Sequence, residues 1–147
     1  MKILNFLQID DFLATSGQPL ENEFVCIADL GYEAVINLAL PSADNAVATE
    51  GSLVTGLGMK YFHIPVVWES PMEEQFRLFV TLMEYYQAKK IWVHCALNMR
   101  VSCFIYLYRT LYLGISKDLA QQSIDFIWQP NEVWSDFMSL IEVKSQH

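Results

Sequence analysis

The chain is short of positive charge, of paired cysteines and of long apolar runs. Nine lysines and arginines stand against 17 acids, for a formal net charge of -8 over 147 residues. Nucleic acid and an anionic membrane surface both require a positive patch, so neither is the expected partner, and an anionic substrate would need a locally positive site. The three cysteines, Cys26, Cys95 and Cys103, are an odd number without zinc-like spacing. That argues against a disulfide framework and against a structural metal. No stretch of about 18 apolar residues is present to cross a bilayer. The opening MKILNFLQIDDF has too short an apolar run, and acids too early, for a secretory signal, so the expected location is the cytoplasm. No repeat, low-complexity tract or linker divides the chain. What is there, 53% hydrophobic and 18% charged, fits one compact domain over residues 1–147 with a sizeable core.

Short apolar runs alternate with helical patterns. FLATSG (12–17), AVINLAL (34–40), KYFHIPV (60–66) and IWVHC (91–95) read as strands, and their lack of strict alternation predicts burial on both faces. A helix over 19–30 carries Phe24, Ile27 and Ala28 on one side and stops at Gly31. Residues 44–57 make a weaker helix, since Gly51 and Gly56 lower its propensity. In SPMEEQF, Ser70 can cap, Pro71 suits a first turn and Glu73 completes a capping box; Phe76, Phe79, Val80, Met83 and Tyr86 then recur at helical spacing. Another helix runs from about Arg100 to Leu113 and stops at Gly114, and two more start at Ser116 and Pro130. Strands separated by helices of this length call for right-handed crossovers. The expected class is α/β: three layers, with a mainly parallel central sheet of about 4–5 strands flanked by helices.

The stretch IWVHCALNMRVSCF (91–104) runs a strand into a helix through His94, Cys95, Ala96, Leu97, Asn98, Met99 and Arg100. In an open α/β sheet ligands bind where a strand ends and the next helix begins. Amides of the turn and of the helix N-terminus can converge there on an anion. Cys95 would sit at the bottom of that cradle, a setting that favours the thiolate. Arg100 brings a planar fork able to grip two oxygens of a tetrahedral anion, and Asn98 tolerates the left-handed conformation that a tight anion loop needs. The remaining polar and aromatic residues have simpler readings. His63 is a satisfied structural histidine, Cys26 and Cys103 are core, Asp44 and Glu50 are solvated helix acids, and Trp92, Trp128 and Trp134 serve packing.

VHCALNMRVS resembles the His-Cys-x5-Arg-Ser/Thr signature of cysteine-dependent protein tyrosine and dual-specificity phosphatases. Through SGQP (16–19), VINL (35–38) and HIPV followed by a tryptophan (63–68), residues 11–113 are similar to small bacterial phosphatase-like proteins. Those were once catalogued as a domain of unknown function and are related to the N-terminal part of beta-lactamase-hydrolase-like proteins. Here four residues rather than five separate Cys95 from Arg100, Val101 intervenes before Ser102, and Asn98 replaces the usual glycine. Two alignments follow: a shortened loop with Arg100 as the clamp, which is the reading adopted, or Val101 in the arginine's place.

The resemblance implies a dual-specificity-phosphatase-like fold and hydrolysis of phosphate monoesters through a phosphocysteine on Cys95. Arg100 and the amides of Ala96, Leu97, Asn98 and Met99 would bind the phosphate, with His94 and Ser102 in support. The proton donor would come from the loop VVWESPM, where Glu69 is the candidate because capping explains Ser70 and Glu73. No metal or cofactor is required. A phosphorylated protein or a small phosphate ester is the expected substrate, and the absence of lysine inside the loop argues against a phosphoinositide. The short loop keeps two other readings open: a rhodanese-like sulfurtransferase and a catalytically impaired phosphate- or anion-binding module. Nothing in the sequence sets the oligomeric state.

Overall fold

A computed structural model describes residues 2–146. One five-stranded sheet runs through it in the order β1-β2-β5-β3-β4. The strands are β1 (Leu7–Gln8), β2 (Leu13–Ser16), β3 (Ala34–Asn37), β4 (Lys60–His63) and β5 (Ile91–His94). All pairs are parallel except β1 with β2. The helices are α1 (Glu21–Asp29), α2 (Glu50–Gly56), α3 (Glu73–Tyr85), α4 (Met99–Tyr112), α5 (Lys117–Ile127) and α6 (Glu132–Lys144). The class is α/β with a mostly parallel sheet, as the alternating pattern requires; the two-residue β1 is too short to have a sequence signature.

Both faces of the sheet are covered over β2, β3 and β5, but edge strand β4 lacks the two-sided burial expected of KYFHIPV: Lys60 and His63 are exposed, Tyr61 and Phe62 half-buried. In β5, Ile91 and Val93 pack into a cluster with Phe76, Phe79, Phe104 and Trp134, while Trp92 points to the opposite cluster with Phe24, Ile27 and Val54. Period-2 alternation therefore sends successive apolar side chains into two different cores, and the strands read as unbroken apolar runs. Every residue of α4 from Arg100 to Tyr108 is buried. An element enclosed by sheet and helices needs apolar residues all round rather than one stripe.

Helix ends follow local chemistry, with three corrections. Gly31 stops α1 at a φ of 90°, and Gly31 N–H to Ala28 O (3.0 Å) and Tyr32 N–H to Ile27 O (3.4 Å) close a Schellman pair. Ser70 does not cap α3. Its N–H closes a turn on Val67 O (3.1 Å), and the helix starts at Glu73, where the Gln75 carboxamide accepts from Met72 N–H (3.0 Å) and donates to Pro65 O (3.0 Å). Glu73 instead binds Arg77 and Lys144. The expected 44–57 helix shrinks to α2, because 41–49 is spent on turns such as Ala43 N–H to Leu40 O and Ala46 N–H to Ala43 O. The last helix is capped by Asn131, which accepts from Trp134 N–H (3.0 Å), and Pro130 lies outside it. Cys103 is buried as expected; Cys26, on the outer face of α1, is exposed.

Register brings Ser16, His94, Asn37 and His63 into one row at the carboxyl edge of the parallel strands. The functional site begins there.

Candidate active site

β5 ends at His94, and the chain turns through four residues before α4 begins at Met99. Asn98 makes the turn possible at φ 68°, ψ 4°, the left-handed conformation expected of it. The loop carbonyls are held from outside. Cys95 O faces His94 Nδ1 (3.1 Å), Ala96 O accepts from Gln18 N–H and Asn45 Nδ2 (3.1 Å each), and Leu97 O accepts from Asn5 Nδ2 (3.0 Å). In a trans peptide the following N–H points the opposite way. The N–H groups of Ala96, Leu97 and Asn98 accordingly find no acceptor among the described residues. Together with the first amides of α4, which a helix leaves unpaired, they are donors that an anion could take up.

The SGQP segment serves this loop. Beyond the Gln18 bond to Ala96, a Cβ built on Gly17 would lie 2.8 Å from Ala96 O and 3.1 Å from Leu4, so no side chain fits between β2 and the loop. Asn98 is fully buried and donates from Nδ2 to Asn5 O (2.9 Å) and Thr15 Oγ1 (3.1 Å), leaving Oδ1 without a partner. Asn5 and the loop thus bind each other reciprocally. No sequence signal points to Asn5, because its partner lies 92 residues away.

A cavity of about 230 Å³ opens over the loop, lined by Trp68, Cys95, Ala96, Leu97, Met99 and Arg100. Cys95 is 1% exposed, at the floor of this cavity. Arg100 is also buried; its Nη1 donates to Val66 O (2.9 Å), its guanidinium carbon lies 5.9 Å from the Trp68 ring centroid, and its Nε has no partner. No carboxylate lies within ion-pair distance of it among the described residues. A buried guanidinium lacking both a counter-charge and one of its hydrogen-bond partners is costly unless an anion completes it. Val101 is fully buried in the core, away from the cavity lining.

The other expected residues are placed as follows. Ser102 Oγ donates to Met99 O (2.6 Å) and accepts from Trp128 Nε1 (2.9 Å), bracing the first turn of α4 without lining the cavity. Glu69 is exposed beside Trp68, outside the cavity lining, with no hydrogen bond or ion pair among the described residues. Nothing in the sequence singles out Trp68 as a wall of the site. Trp134 Nε1 fixes its carbonyl (2.9 Å), and Trp128 and Trp134 pack on its ring at 5.2 and 6.2 Å.

Behind the loop lies a buried polar chain. His94 is fully buried, and its Nε2 lies 2.6 Å from Glu50 Oε2; Gln18 Nε2 donates to Glu50 Oε1 (2.8 Å). Glu50 is therefore no solvated helix acid. It is 3% exposed, because the first side chain of α2 turns inward onto His94. Tyr61, facing the same carboxylate, accepts from Asn37 Nδ2 (3.0 Å), and burial pushes its phenol up to about 12. Asp44 stays exposed, and His63 Nε2 meets Ala39 O (2.6 Å), as a satisfied structural histidine should.

No protein-family model and no curated protein sequence matches the chain. Solved structures do. A candidate phosphatase (DUF442) from Shewanella putrefaciens CN-32 is 34% identical with a TM-score of 0.89, over 99% of this chain and 93% of that one. Tk-PTP in its active form is 18% identical with a TM-score of 0.78, over 95% and 97%. Pseudomonas aeruginosa TpbA, solved as a cysteine-to-serine variant in complex with phosphotyrosine, is 12% identical with a TM-score of 0.73, over 98% and 91%.

Proposed function

Because the chain belongs to the DUF442 group of tyrosine and dual-specificity phosphatase-like proteins, we propose that it hydrolyses phosphate monoesters through a phosphocysteine on Cys95. The observation that carries this reading is Arg100: a buried cation with no counter-acid and no partner for its Nε among the described residues, set beside a thiol on the floor of one cavity. A tetrahedral dianion supplies what that arrangement lacks.

In the proposed reaction the Cys95 sulfur attacks phosphorus, the ester P–O bond breaks, and the departing oxygen takes a proton from an acid. Water then gives a proton to the carboxylate left by that acid and attacks phosphorus, the P–S bond breaks, phosphate leaves and the thiolate returns. The loop amides and Arg100 stabilise charge on the equatorial oxygens throughout, which is most of what phosphoryl transfer asks of a protein. Glu69 is the acid we assign, swinging in from beside Trp68. The substrate is a phosphorylated protein or small phosphate ester with an apolar or aryl group to lie against Trp68, Leu97 and Met99. The phosphotyrosine bound to TpbA supports that class.

Aryl phosphate hydrolysis tests the proposal, with thiosulfate-to-cyanide sulfur transfer run on the same samples. Cys95→Ser and Arg100→Ala should abolish phosphate release, and Glu69→Gln should depress it most for poor leaving groups. Thiocyanate formation without phosphate release would instead identify a sulfurtransferase. The position of Glu69 outside the cavity lining favours one second reading, an anion-binding module; phosphate binding with neither product would establish it.

A further inference from the structure

We propose that Glu50 is a positioning residue for the phosphate loop, acting through His94 on the carbonyl of Cys95. This rests on the phosphatase reading for its kinetic consequence but not for its geometry. Glu50 and His94 are 3% and 0% exposed, in contact at 2.6 Å, and neither touches the cavity over Cys95. Cys95 O can only accept, so the neighbouring His94 Nδ1 (3.1 Å) carries a proton, and a second proton lies in the 2.6 Å contact between Nε2 and Glu50 Oε2. A buried imidazole can rotate or change tautomer unless its second nitrogen is fixed. Glu50 fixes it, and is itself oriented by Gln18 Nε2 at 2.8 Å.

The groups around His94 are few. Glu50 faces it from α2, Tyr61 stands near Glu50 on β4, Cys95 follows it as the first loop residue, and the Phe24 ring packs edge-on at 6.1 Å. Gln18 links this chain to the loop a second time, since its N–H holds Ala96 O while its side chain holds Glu50. Two successive loop carbonyls, those of Cys95 and Ala96, thus depend on one carboxylate. The amides opposite them are the proposed phosphate donors.

The test compares Glu50→Ala, Glu50→Gln and Glu50→Asp in a Cys26→Ser background. Kinetics on an aryl phosphate, affinity for inorganic phosphate by calorimetry and the rate of Cys95 alkylation by iodoacetamide are measured, with melting temperature as the folding control. Glutamine can donate to His94 Nε2 and accept from Gln18, so it should stay within about threefold of wild type in all three. Alanine removes the anchor. A loop displaced by a fraction of an ångström should lose about 10- to 100-fold in kcat, with weaker phosphate binding and an altered alkylation rate. Aspartate, one methylene too short, should resemble alanine.

Folded Glu50→Ala protein with wild-type kcat, phosphate affinity and alkylation rate would overturn the assignment, as would equal losses in Gln and Ala. Should Ala fail to fold, the Gln and Asp pair decides in the same way. If wild type neither hydrolyses nor binds phosphate while alkylation still separates Ala from Gln, the positioning role stands and the phosphatase reading falls.

Discussion

Arg100→Met separates an anion clamp from a structural strut. Among the described residues the buried guanidinium has no counter-charge, and its one hydrogen bond runs from Nη1 to Val66 O. Methionine fills similar volume without the charge. It leaves the Val66 carbonyl unpaired, a cost of about 1–3 kcal/mol. It also relieves the desolvation of an unpaired ion, roughly several kcal/mol. The second effect is the larger, so the variant should be at least as stable as wild type without phosphate, with a gain of about 0–2 kcal/mol. For a chain of this size that is a rise of up to roughly 4–8 °C in Tm. Saturating phosphate reverses the order. At about 100 times its Kd it should add about 2.7 kcal/mol to wild type and nothing to the variant. Thermal melts of both proteins across a phosphate titration, read beside aryl phosphate turnover, make the comparison. A variant that loses more than about 2 kcal/mol without phosphate, yet is still protected by it, would show that Arg100 is a strut and refute the reasoning.

Three further outcomes are expected. Gly17→Ala should cost about 1–3 kcal/mol, because the new Cβ would meet Ala96 O at 2.8 Å; the loop it displaces should also lower kcat by about tenfold or more, and unchanged kinetics would mean that the loop yields freely. On alkylation of the folded protein with iodoacetamide, Cys95 on the cavity and exposed Cys26 should both react. Cys103, which burial pushes up to about 12, should stay inert until the protein unfolds; mass spectrometry of the labelled peptides reads the order. The Glu73 carboxyl is held below the usual range by Lys144 and then Arg77. A lowered folded value means its contribution is complete above the ordinary carboxylate range and lost as pH falls through the lowered value. Melts of Glu73→Gln should therefore fall below wild type at neutral pH and merge with it in strong acid, with a smaller gap in high salt; a gap that persisted in acid would contradict the pairing.

Residue order alone carried much of the fold. The apolar runs around Ala14, Val35 and Trp92 had to be strands buried on both sides, and Gly31 and Gly114 marked helix ends, since these features depend on near neighbours. Cap positions were less legible. Ser70 and Glu73 have the spacing of a capping box, yet a turn on Val67 and the Gln75 bond to Pro65 claimed that segment first. Cys26 misled because a short helix with Phe24 and Ile27 on one face leaves its neighbour in solvent.

The site divides along the same line. Cys95, Asn98 and Arg100 could be read from the strand-to-helix junction, because a short loop fixes what its own residues can reach. Sequence could not reveal that Asn5, Gln18 and Asn45 hold the loop carbonyls, that Trp68 walls the cavity, or that Glu50 is buried against His94. The hydrogen-bonding partners among them lie 44 to 92 residues from what they touch. Their side chains acquire a role only when parallel pairing sets Ser16, Asn37 and His94 in one row and packs α2 and the N-terminal segment behind it. Local spacing determined which atoms face the cavity; tertiary packing decided what holds them there, because a hydrogen bond depends on distance in space and not on distance along the chain.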